Sequence, residues 1–114
     1  MATLGIFASQ KTIPAQVVAP EMIFVSIIAG GLGWDYSWAV KNKDPLSVTI
    51  YSEETDTTPD VSRGTVASEA STSTITYSSS KTSVTVYAQA VAISPDTRPS
   101  STIASLYMET GGGS

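Results

Sequence analysis

Along most of this chain apolar and polar positions alternate with a period of two, the period of a strand that buries one face. In WDYSWAVKN, Trp34, Tyr36, Trp38 and Val40 fall on one face, and Asp35, Ser37, Ala39 and Lys41 on the other. LSVTIYS sets Leu46, Val48 and Ile50 against Ser47, Thr49 and Tyr51. TSVTVYAQAVA sets Val84, Val86, Ala88, Ala90 and Ala92 against Tyr87, Gln89 and Val91, and in STSTITY Ile75 and Tyr77 share a face. MIFVSII is a continuous apolar run rich in β-branched residues, closed by Gly30, Gly31 and Gly33. VSRGTVA and STIASLYM complete the set, and NKDP, EETDTTPD, SSSK and ISPDTRPS separate the runs with turn-forming residues. Seven strands at this spacing predict an all-β, antiparallel sandwich over residues 22–108. No helical period competes, and a parallel α/β fold would need crossovers of a dozen or more residues. The alternation assigns the core to Trp38, Val48, Ile50, Val84, Val86 and Ala88.

Residues 1–21 lack that alternation. Leu4, Ile6, Phe7, Ile13, Val17 and Val18 are apolar without a sustained period, and Pro14 and Pro20 bracket AQVV. Apolar side chains are costly to leave in water, so the expectation is an extended N-terminal arm that docks these six residues on a partner. Residues 109–114 end in GGGS, which suits a flexible tail or an appended linker.

Composition narrows the chemistry. The 114 residues hold no cysteine and no histidine, which removes disulfides, thiolate–zinc sites, thiol catalysis and the commonest general base. No catalytic residue, metal ligand set or cofactor site is expected. Serine and threonine number 33 and suit turns and pleated surfaces. Six basic against ten acidic residues give a net charge of −4, with the basic residues scattered, which argues against nucleic acid and anionic membranes as partners. The start, MATLGIFASQ, has no positive charge before its apolar residues, so no signal peptide is expected. Met22–Trp34 is too short to span a bilayer, which takes about 20 apolar residues.

Three features could still carry a ligand. Glu53, Glu54, Asp56 and Asp60 could offer oxygens to calcium, but they lack the alternating spacing and central glycine of a calcium loop, and a solvated loop is the simpler reading. Trp34, Tyr36 and Trp38 on one strand face could form a sugar-stacking platform or part of the core. A serine nucleophile has no histidine to activate it and no GxSxG elbow.

DYSWAV resembles the second strand of fibronectin type III-like domains, with Trp38 in the place of the tryptophan between the sheets. TSVTVYAQAVAISPDTRPSSTIAS is similar to the last two strands of that fold, and the combination of KNKDPLSVTIYSE, SRGTVAS and VYAQAVA…RPSS is similar to small Ig-like or fibronectin-like modules of tailed-bacteriophage virion proteins. The chain departs from the fibronectin pattern at Thr82, where a corner tyrosine usually opens the sixth strand. The resemblance implies a seven-stranded Ig-like or fibronectin type III-like sandwich. It implies a non-enzymatic virion component, made in the host cytoplasm, decorating a capsid or forming part of a head fibre or tail. Its partners would be other virion proteins, such as the major capsid or tail protein, with the chain oligomeric or present in many copies. An adhesion or carbohydrate-binding module of a bacterial surface protein is the alternative. An engineered binding scaffold is a third reading, resting on GGGS alone.

Overall fold

A computed structural model describes residues 12–111. Its elements are seven strands: β1 (Glu21–Gly30), β2 (Gly33–Lys41), β3 (Val48–Glu53), β4 (Val61–Val66), β5 (Ile75–Ser79), β6 (Ser83–Ala92) and β7 (Ala104–Glu109). They form two antiparallel sheets, β1-β2-β5 and β4-β3-β6-β7, packed face to face as a sandwich. The expected all-β class, strand number and antiparallel pairing are therefore present.

Local chemistry explains the joints. β1 and β2 form a hairpin whose turn takes Gly31 through a φ of 52°, the left-handed region that glycine enters without a Cβ penalty. At Gly33 a Cβ would collide with the Ser79 carbonyl, so only glycine lets β2 start this close to the end of β5. β4 is bulged opposite β3, with Gly64 at a φ of 93° inside the register shift. β1 carries a second bulge at Val25, between the Phe24–Trp38 and Ser26–Ser37 pairs.

Trp38, Tyr36, Val40, Val48, Ile50, Val86, Ala88 and Ala90 are fully enclosed between the sheets, with Val84, Val66 and Met108 beside them. Ile27, Trp34, Ile75, Tyr77 and Leu106 pack on this cluster from its rim. Three placements depart from the alternation. Ser37 and Ala39, on the polar face of β2, are also buried, because β2 is the central strand of its sheet and β1 and β5 shield short side chains on both sides. Leu46 lies before β3 and is exposed, leaving its carbonyl to accept a bond from Asn42.

The third departure concerns the amino-terminal segment. Val17 is only 2% exposed and belongs to the core of its own chain. Its amide donates to the Pro99 carbonyl at 3.1 Å, and the Gln16 side chain donates to the Ser100 carbonyl at 2.8 Å. The expectation that Val17 docks on a partner is corrected: a side chain already packed inside the sandwich is not free for another surface. Val18 is partly buried and fastened through its backbone, whereas Ile13 is 46% exposed. Leu4, Ile6 and Phe7 lie outside the described residues.

Candidate interaction surface

One end of the sandwich is organised by an ion-pair cluster that strand periodicity does not reveal. Asp44, in the β2–β3 connection, has no solvent exposure. Its Oδ1 accepts from Arg98 at 3.0 Å and from the Val18 amide at 3.0 Å, and its Oδ2 accepts from Arg98 at 2.8 Å and from the Leu46 amide at 3.0 Å. Such a two-pronged pairing uses the planar guanidinium fork fully. The same guanidinium donates to both Asp96 oxygens and, at 3.3 Å, to the Pro14 carbonyl. Three segments distant in sequence are thereby tied together: residues 14–18, the loop around Asp44, and the β6–β7 connection.

Burial pushes the Asp44 carboxyl up. The Arg98 guanidinium and the amides of Val18 and Leu46 outweigh it, and the group lies below the usual carboxylate range. Asp44 raises the Arg98 guanidinium in turn, with Asp96 adding to it. Asn42, also fully buried, completes the connection: its Nδ2 donates to the carbonyls of Leu46 and Val66, and its Oδ1 accepts from the Asp44 amide. Glu69 stands beside it at a φ of 66°, its amide bonded to the Asn42 carbonyl. Lys43 and Lys41 hold the Glu69 carboxylate at 3.2 and 3.5 Å and lower its affinity for a proton.

The sequence-derived ligand candidates do not assemble into a site. Tyr36 and Trp38 have no exposure and cannot stack on a sugar, so of the two readings of this strand face the core is the one present; of the three aromatics only Trp34 reaches the rim. The Tyr36 hydroxyl donates to the Lys81 carbonyl, just before β6, and burial raises its pKa. A tyrosine from β2 thus ties down the start of the strand whose own corner position holds Thr82.

In the acidic loop, Glu53 accepts from the Thr55 hydroxyl and amide, which lowers its pKa. Glu53 lies beside Asp60 and raises it. Glu54 faces Arg63 at 3.5 Å instead, and burial raises its carboxyl. Among the described residues, no three acidic side chains converge as a metal would require.

What the surface does offer is an apolar side. β1 and β7 are the edge strands along one flank of the sandwich and approach each other there. Phe24, Val25, Ile28, Leu32, Ile103 and Tyr107 are all exposed on or next to these strands, Leu32 by 99% at the hairpin tip. Phe24 shares the inward face with its partner Trp38 yet is 52% exposed, because it sits at the open flank. In the sequence the signal was the uncharged run from Met22 to Trp34; that this run forms an open edge is a matter of strand order. Comparison of the chain with protein-family models, curated proteins and solved structures finds no match.

Proposed function

We propose that this chain is a non-enzymatic interaction protein, an Ig-like or fibronectin type III-like module of a bacteriophage virion, attached to a capsid, tail or fibre protein through its amino-terminal residues. The observation that carries this reading is the clamp at Arg98. It bonds the Pro14 carbonyl and the buried Asp44 together, so the chain is fastened to the sandwich from Pro14 onward. Any load taken up by residues 1–13 passes directly into the folded body at that point. The three-plus-four strand order, with β5 beside β2 and β6 beside β3, supports the fibronectin-like assignment, as does Trp38 between the sheets.

The docking set of this proposal is Leu4, Ile6, Phe7 and Ile13, with Val17 and Val18 reassigned to fastening. Each apolar side chain is worth roughly 1.5–3 kcal/mol when fully buried, so a few suffice for attachment at high local copy number. The test is cosedimentation of the full chain, and of a chain lacking residues 1–13, with phage particles stripped of this protein. The truncated chain is expected to keep the circular dichroism of the full one and to lose at least tenfold in attachment. Undiminished attachment sinks the proposal.

A further inference from the structure

We infer that the β1 edge is a self-association surface, on which a second copy of this chain pairs β1 against β1 in antiparallel fashion about a twofold axis. An open edge strand presents unpaired N–H and C=O groups, and folded proteins blunt such edges with charge, proline, bulges or brevity. Three of the four edges here follow that rule. β4 carries Arg63 and the Gly64 bulge, β5 has five residues and is largely polar, and β7 has six and ends at Glu109. β1 has ten residues and no charge after Glu21; the next charged residue in the chain is Asp35. Among the described residues nothing pairs with its free side.

Its one irregularity, at Val25, lies in its first half, and Ser26–Gly30 continue in unbroken register with β2. A twofold axis near Ile27 and Ile28 would join these regular halves and fuse two three-stranded sheets into one of six.

Charge favours a second copy as the occupant. The chain carries a net charge of −4, and like-charged copies meet most cheaply on a neutral face. On this flank the strands contribute only Glu21 and Glu109, and antiparallel pairing leaves the two Glu21 side chains roughly 40 Å apart at about 3.3 Å per residue. About an axis near Ile27 and Ile28 the overlapping stretch is roughly Val25–Gly30, about 20 Å long at about 3.3 Å per residue and about 20 Å across two sheets with their side chains, on the order of 400 Å². That is about half of the roughly 800 Å² per partner of a standard specific interface, the size of a weak association that fills at high concentration. Isologous twofold dimers are also the commonest closed assembly.

The inference is independent of any virion, because it is read on the isolated full-length chain by sedimentation equilibrium. The wild type is expected at twice the chain mass at about 100 µM. Ile28→Lys, or Val25→Lys should the first fail to fold, is expected at the chain mass with unchanged circular dichroism. Val61→Lys on the β4 edge and the double variant Ile6→Asp/Phe7→Asp are expected to remain dimeric. The chain has no cysteine, so Ile28→Cys should oxidise to a covalent dimer, and Val61→Cys should not. A monomeric wild type, or a dimer that survives both β1 lysines, overturns the inference. A dimer lost in Ile6→Asp/Phe7→Asp assigns the edge to the amino-terminal residues instead and overturns it equally.

Discussion

Replacing Trp38 by alanine probes the core where the two sheets meet. Trp38 is fully enclosed, pairs in register with Phe24 on one side and Ile75 on the other, and is the largest fully buried side chain. Burying about 150–250 Å² of aromatic surface at about 25 cal/mol per Å² sets a ceiling near 4–6 kcal/mol. Compaction of the unfolded chain trims that by roughly 10–40%. The expected cost is therefore about 3–5 kcal/mol, the range observed when large aromatic core sites are emptied. For a domain stabilised by about 5–15 kcal/mol this removes a large share of the total.

Trp38→Phe separates volume from polarity. The indole Nε1 is buried with no acceptor among the described residues, and a buried unpaired donor is itself unfavourable by about 1–3 kcal/mol. Phenylalanine loses volume but removes that donor, so its cost should stay under about 2 kcal/mol. Urea melts followed by circular dichroism at pH 7 measure both variants. A Trp38→Ala loss under about 1 kcal/mol would refute the enclosed placement. Equal losses for the two variants would mean that the indole N–H has a partner.

Three further outcomes follow from the clamp end. Arg98→Ala leaves the enclosed Asp44 carboxylate without its cation and should lower the melting temperature by about 10 °C, with faster amide exchange at Val17 and Val18; a change under about 2 °C contradicts the clamp. The folded Asp44 carboxyl lies below its ordinary value, so its contribution is full above about pH 3.9 and is lost as pH falls through the lowered folded value. Wild type should accordingly exceed Asp44→Asn in urea midpoint at pH 7, and the gap should narrow toward pH 2; a gap independent of pH refutes the pairing. Glu69→Gly relieves a left-handed residue at a φ of 66° while removing only solvent-exposed ion pairs, so it should raise the melting temperature by a few degrees, and a fall means that the two lysine contacts outweigh the strain.

Strand existence and phase were legible in the chain because they are local. A two-residue period needs only near neighbours, and it placed Trp38, Val48, Ile50, Val84, Val86 and Ala88 on the inward faces where the structure has them. The glycines of the β1–β2 turn and the absence of cysteine and histidine are likewise properties of the string itself. What tertiary structure alone decided are matters of pairing between distant residues. Arg98 meets Asp44 across 54 positions and Pro14 across 84, and no periodicity marks either partner. Ser37 and Ala39 are buried because β1 and β5 flank β2, not because of their own polarity. Val17 looked like part of a free arm because nothing local distinguishes it from Val18; the bonds from its own amide to the Pro99 carbonyl and from the Val18 amide to the Asp44 carboxylate hold the segment against the sandwich, with Val17 in the core cluster. The uncharged run from Met22 could equally have been a central strand. Strand order leaves β1 at the edge, because hydrogen bonding to β2 uses one side of a strand and among the described residues no other strand reaches the second.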